Sequence, residues 1–186
     1  MGRAVPLLAL ATLALAGCSL PHPEVPDKAP EVKTTEAENG EKPLAIATED
    51  SVMKRRNDKG EILLVSRSQS STTSLDLNSP GKGDSHLTGV EGELYRKGDV
   101  ISRFNAPKGR FVEADKVLWL EGGVTIISEE RKIILTAQQI KWREDSGLIT
   151  AVGNVWLRGE SFESGPAAKL VTTPDLERFG TPDRFE

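Results

Sequence analysis

One cysteine and two histidines are all that this chain of 186 residues holds of the side chains most used as metal ligands, nucleophiles and acid–base groups. The lone Cys18 excludes an internal disulfide. His22 and His86 stand far apart in polar surroundings, so no set of ligands has metal-site spacing and no nucleophile, base and orienting group can be assembled. No glycine loop follows a strand and opens a helix in the way that cradles phosphate. The chain therefore reads as a non-enzyme without metal or cofactor. Aromatics are scarce, with three Trp, one Tyr and five Phe, too few for the exposed row that a carbohydrate-binding sheet would use. An excess of positive charge is missing as well: Lys+Arg number 24 against 28 Asp+Glu, for a net charge of −4. A nucleic-acid partner is excluded on that ground, because phosphate binding draws its affinity from clustered cations. Nor does any stretch keep a capped period of 3.6, so almost no helix is expected.

The charge that is present is unevenly placed. Leu20 to Asp50 holds eight acids and three bases, whereas Ser51 to Glu186 holds twenty of each. The acidic stretch also contains Pro21, Pro23, Pro26, Pro30 and Pro43 and too little apolar surface to offset the entropy of ordering. Residues 18–58 are accordingly expected to be a disordered tether, reaching roughly 30 to 35 Å as a coil. Lys54, Arg55, Arg56 and Lys59 at its end read as a solvated turn, with attraction to anionic headgroups as the alternative.

The N-terminus has Arg3 followed by an apolar run from Val5 to Leu15, shorter than the roughly 20 residues that a spanning helix needs. The run ends in Leu15-Ala16-Gly17-Cys18, which resembles the lipobox of bacterial lipoproteins. That resemblance implies a signal peptide over 1–17 and Cys18 acylated, with palmitate-like chains, as the first mature residue. Each chain contributes about 0.8 kcal/mol per buried CH₂, so several make attachment permanent. It also implies a lipoprotein on the periplasmic side of the envelope. Ser19 is not the aspartate associated with inner-membrane retention; the inner membrane is expected, with the outer membrane as the alternative.

From Glu61 onward short segments rich in Val, Ile, Leu, Thr and Trp alternate with Gly, Asp, Asn and Lys, which are strand and turn signals. Strands are expected at Ile62–Ser66, Leu94–Arg96, Val100–Phe104, Lys116–Leu120, Val124–Ser128, Ile133–Ala137, Gln139–Arg143, Leu148–Val152, Val155–Arg158 and Ala168–Val171. Arg96-Lys97-Gly98-Asp99, Glu121-Gly122-Gly123, Glu144-Asp145-Ser146-Gly147 and Val152-Gly153-Asn154 read as tight turns. Ser70 to Gly89 leaves strand and loop both open. The end of the chain duplicates Thr-Pro-Asp at Thr173-Pro174-Asp175 and Thr181-Pro182-Asp183; 174–186 reads as a flexible tail, with partner docking as the minority view.

The chain also repeats itself. Phe104-Asn105-Ala106 followed by Gly122-Gly123-Val124 matches Leu135-Thr136-Ala137 followed by Gly153-Asn154-Val155, an offset of roughly 31 residues, which is the sign of stacked units that bury a shared face. At the same offset Leu118 falls on Ile149, Ile126 on Leu157 and Ala137 on Ala168, and Gly92 suggests an earlier, degenerate copy. This pattern, G-V-x-I, then T-A, a strand, an Asp-x-Gly turn and G-x-V again, resembles the OstA-like family of lipopolysaccharide-transport proteins over about Gly92 to Thr173. With the membrane attachment it is most similar to that family's LptC-like members.

The resemblance implies an all-β domain over 59–173: an open twisted antiparallel β-jellyroll, whose inner face lines a groove for the acyl chains of lipopolysaccharide. Alternation puts Val124 and Ile126, and likewise Val155 and Leu157, on one face. Leu118, Leu120, Leu135, Ile140, Trp142 and Ile149 complete the expected groove. Pattern alone leaves groove and closed core equally open. Implied partners are lipopolysaccharide, an inner-membrane lipopolysaccharide ABC transporter facing the strands near Ile62 to Arg67, and a periplasmic OstA-like bridge protein joined by edge-strand addition near Ala168 to Val171. The alternative is an outer-membrane structural or interaction lipoprotein with a closed β core.

Overall fold

The computed structural model describes residues 33–34, 44–75 and 83–185; the signal segment, Cys18 and most of the expected tether lie outside them. Among the described residues ten strands form one antiparallel sheet in sequence order: β1 (Lys33–Thr34), β2 (Leu44–Arg56), β3 (Ile62–Leu75), β4 (Gly83–Arg96), β5 (Asp99–Val112), β6 (Val117–Ser128), β7 (Ile133–Arg143), β8 (Ile149–Arg158), β9 (Glu163–Thr172) and β10 (Phe179–Gly180). Each strand pairs with its neighbours in the chain and the sheet does not close. The fold is the open, twisted all-β type expected, wound as a meander. One short 3₁₀ turn, Pro182–Arg184, is the only helix described.

Eight strands are 10 to 14 residues long, and the pairing of each is interrupted near its middle. The register shifts between Asn105 and Lys108 on β5, Glu121 and Val124 on β6, Thr136 and Gln139 on β7, and Val152 and Val155 on β8. Asp50 and Gly89 break β2 and β4 at the corresponding places with φ of 50° and 60°. Lined up across the sheet these breaks form one crease, because a bulge bends its strand and increases the local twist.

The expected short strands are thus halves of long ones. Glu121-Gly122-Gly123 and Val152-Gly153-Asn154 are corners within β6 and β8, not turns between strands. Gly122 and Gly123 have φ of 91° and 96°, Gly153 78° and Asn154 49°, the left-handed region that glycine enters without steric cost and asparagine at little cost. The repeat is real as geometry: one repeat is a pair of creased strands, and its small residues mark the fold line. The earlier copy is displaced, since β4 bends at Gly89 rather than Gly92. Lys97-Gly98 is a genuine hairpin turn, with positive φ at both residues (53° and 91°) and Arg96 paired with Asp99, as a type I′ turn requires.

Bending lets the two halves of the sheet face each other. One layer takes Leu44–Glu49, Ser70–Leu75, Gly83–Thr88 and the segments that continue them; the other takes Ser51–Arg56, Ile62–Ser68, Val90–Arg96 and theirs. No other described element can cover the inner face, yet Leu64, Leu135 and Ile149 are 0% exposed and Leu118 and Ile126 1%. The layers also touch at their far ends, where Arg55 of β2 reaches Glu144 at 2.8 Å and Glu113 at 3.0 Å in two turns of the opposite layer.

Two boundaries differ from expectation. The folded part begins before 59, because β2 pairs with β3 from Leu44↔Leu75 to Arg56↔Ile62; no proline follows Pro43 in this stretch, and ladder pairing overrides its acidic composition. At the other end, 174–185 fold back: Leu176 is 0% exposed and β10 pairs with β9. Ser70 to Gly89 is strand on both sides of residues 76–82, which lie outside the described set. Gly122→Val should lower unfolding stability by about 1 to 3 kcal/mol, the usual cost of a strained backbone position, read from urea melts. An unchanged midpoint would place the fold line elsewhere.

Candidate functional site

The inner face is built by alternation on each side of the crease. On β6, Leu118 and Leu120 precede the Gly122-Gly123 corner and Val124 and Ile126 follow it; on β7, Leu135 precedes the corner and Ile140 and Trp142 follow; on β8, Ile149 precedes it and Val155 and Leu157 follow. All ten are inward and at most 4% exposed, in one continuous cluster. The extra residue of the β7 bulge resets the alternation, which is why Leu135 and Ala137 share a face with Ile140 and Trp142. Trp119 and Trp156 point outward, where Lys141 and Arg158 lie over their rings at 4.8 and 5.4 Å.

The cluster extends further than the sequence reading placed it. Leu64, Leu87, Val90, Leu94, Phe104 and Phe111, from β3, β4 and β5, belong to it, as does Leu176. Period-two spacing at Ser102-Phe104-Ala106 was the available signal for the β5 part. Toward β2 the interior becomes hydroxyl-lined: Thr48 bonds Ser71 at 2.7 Å, Ser51 bonds Ser68 at 3.2 Å, and Thr73 bonds Ser85 at 2.9 Å. Ser102 and Ser128 carry buried hydroxyls without a hydrogen-bond partner among the described residues, which is costly in an apolar interior unless something polar reaches them.

The interior is closed. None of the ten residues lines either of the two larger hollows described, of about 560 and 360 Å³, which share Arg67, Glu91 and Asn105. Opening the interior therefore means parting the layers or lifting what seals their ends. On the β2 side the seal is Arg55, which also lies 4.7 Å over the Phe111 ring. Burial alone would lower the Arg55 pKa, but the carboxylates of Glu144 and Glu113 outweigh it and hold the guanidinium above its ordinary value. On the β9 side the seal is the C-terminal tail.

No family model matches the chain, and no curated protein matches its sequence. Among solved structures it is similar to the crystal structure of LptH, the LptA homologous periplasmic component of the conserved lipopolysaccharide transport device from Pseudomonas aeruginosa. The identity is 14%, over 76% of this chain and 91% of that one, with a TM-score of 0.47.

The edges bear on what the sheet can join. β3, where the expected transporter-facing strand begins, is internal and paired on both sides; the N-terminal edge is β2, on which β1 covers only Ile46 and Ala47. Among the described residues Thr48–Arg56 has no outer partner. At the other end β10 covers Val171 and Thr172, so among the described residues Glu163–Leu170 of β9 has no outer partner.

Asp175, 3% exposed, ties the tail to the opposite layer through Arg96 at 2.7 Å. Burial pushes its pKa up, but the Thr173 hydroxyl, the Arg96 guanidinium and the Glu177 N–H together bring the carboxyl below its usual value. A depressed folded-state pKa contributes stability above the unfolded value, about 3.9, and loses it as pH falls through the folded value. Wild type should thus lose more melting temperature than Asp175→Asn on acidification from about pH 5 to 2. Parallel curves would mean that Asp175 titrates alike in both states.

Proposed function

We propose that the chain is a membrane-attached periplasmic lipopolysaccharide-binding protein of the LptC-like kind. In this reading Cys18 carries the lipid anchor, and the acidic segment after it sets the distance from the membrane. The domain takes lipopolysaccharide from an inner-membrane ABC transporter and passes it to a periplasmic OstA-like bridge protein. The observation that carries the proposal is the single apolar face that runs across both layers, in a sheet whose two edges are, among the described residues, largely without an outer partner. Acyl chains need an apolar lining of this extent, since their binding rests on buried area, at about 25 cal/mol per Å², rather than on a few polar contacts. Unpaired edges allow consecutive domains to be joined by strand addition, so that apolar interiors lie end to end.

The N-terminal edge for such joining is β2, and the C-terminal one is β9. Groove residues in this reading are Leu118, Leu120, Val124, Ile126, Leu135, Ile140, Trp142, Ile149, Val155 and Leu157. Lipid tails reach them when the layers part or when an end of the interior is unsealed.

One observation favours a second reading. With every one of these residues at most 4% exposed, the interior also suits a permanently closed core, and the protein would then be a structural or interaction lipoprotein of the outer membrane. A photo-crosslinker at Leu135, Ile140 or Leu157 should capture lipopolysaccharide in cells, and the same probe at outward Thr125 should not. Capture from Thr125 alone, or from none of the four, would favour the second reading.

A further inference from the structure

The tail after β9 closes on itself and on both layers at once. Thr173 N donates to Arg178 O at 3.0 Å, Leu176 N to Thr173 O at 2.9 Å, and the Thr172 hydroxyl to Arg178 O at 2.9 Å. This turn holds Leu176 at φ 59°, a conformation that costs a residue with a Cβ, and the compensation is burial, since the Leu176 side chain enters the core cluster at 0% exposure. Beside it Asp175 receives Arg96, from the end of β4, and Glu177 receives Arg131, from the β6–β7 turn, at 3.0 Å. Both arginines lie at the far end of the layer opposite the tail. Directly after this plug, Phe179 and Gly180 form β10 and occupy the edge of β9 at Thr172 and Val171, and Phe179 stacks on Phe162 of the β8–β9 turn with centroids 6.1 Å apart. One short segment therefore fills two places, the end of the apolar interior and the end of the free sheet edge.

We propose that residues 173–185 are a displaceable latch: a partner β-strand that pairs along the whole of β9 must remove β10, and in doing so withdraws Leu176 and opens the interior at that end. The inference rests on reading the interior as a lipid-binding cavity. Docking of the next β-sheet and access to the interior become one event, so lipid tails meet an opening only where a receiving sheet is in place. The energetics favour displacement. β10 contributes two residues of pairing, whereas β9 offers an edge of ten residues, of which Pro166 alone lacks an N–H. Arg131 and Glu177 are 39% and 50% exposed, and exposed pairs hold little. What resists release is Leu176 and the buried Asp175, both lost together.

A reversible lock tests this in the folded full chain. Val171 and Gly180 are directly paired on antiparallel strands, where Cα separations suit a disulfide, and a side chain at 180 meets only the flexible Arg184 side chain. The variant Val171→Cys/Gly180→Cys, with Cys18→Ser to leave one possible bridge, is compared oxidised and reduced for binding of the apolar fluorophore N-phenyl-1-naphthylamine. Wild type and a chain ending at Thr173 are measured alongside. The oxidised form should bind about tenfold more weakly than the reduced form, as expected when the binding-competent population falls to about a tenth, and the truncated chain should bind more tightly than wild type. Equal binding in the oxidised and reduced forms would overturn the latch while leaving the lipid-binding reading standing. No binding by any form, the truncated chain included, would overturn both. Should truncation unfold the protein, the comparison of the oxidised and reduced forms decides alone.

Discussion

A sheet with one apolar face and nothing else to lay against it must cover itself. That constraint organises this molecule. Eight long strands place Leu, Ile, Val and Phe on one side, no helix packs on them among the described residues, and the face is nevertheless almost fully buried. The solution is the crease, a line of bulges and left-handed residues that crosses every long strand near its middle and turns one sheet into two facing layers. The ladder breaks at the fold line but the same strands pair on both sides of it, so each half is held in register by its neighbours. The interior inherits its length from the number of strands rather than from any single element.

The crease also explains why so modest an apolar content suffices. Only 37% of the chain is hydrophobic, and alternation directs most of the large residues to the inside while charged side chains pair across the outside. Arg103, for instance, lies between Glu93 and Glu129 on the outer face of its layer. The ends of the interior are where the design changes character. Arg55 with Glu113 and Glu144 fastens one side, the tail fastens the other, and hydroxyls replace hydrocarbon toward β2. Among the described residues the layers run into each other at the crease and are joined by side chains at the opposite ends, as in a sandwich hinged along one line.

Much of this was legible in the residues and some was not. Alternation located ten inward residues of β6, β7 and β8, because each half-strand keeps a strict period of two. The repeat located the fold line, since Gly122, Gly123, Gly153 and Asn154 are the residues that tolerate positive φ. What the sequence did not distinguish is a corner inside a strand from a turn between strands: both want glycine, and only the pairing of Glu121 with Gln139 and Val124 with Ala137 on the same neighbour separates them. Composition misplaced both ends of the domain. Glu49 and Asp50 read as solvated tether although they sit at the crease of an edge strand, and the Thr-Pro-Asp tail reads as mobile although Leu176 anchors it. Edge strands and plugs are decided by what they meet, which no local signal carries.

The central claim is that the enclosed interior is a cavity held shut, not a permanent core. The direct measurement is the separation of the two layers, by pulsed electron paramagnetic resonance between spin labels on their outer faces at Thr125 and Thr150, without and with lipopolysaccharide. Acyl chains between the layers need room, so the account predicts that the distance distribution moves outward by several ångströms toward the spacing of sheets about 10 Å apart plus the width of a chain. A distribution unmoved while lipopolysaccharide is bound would contradict it.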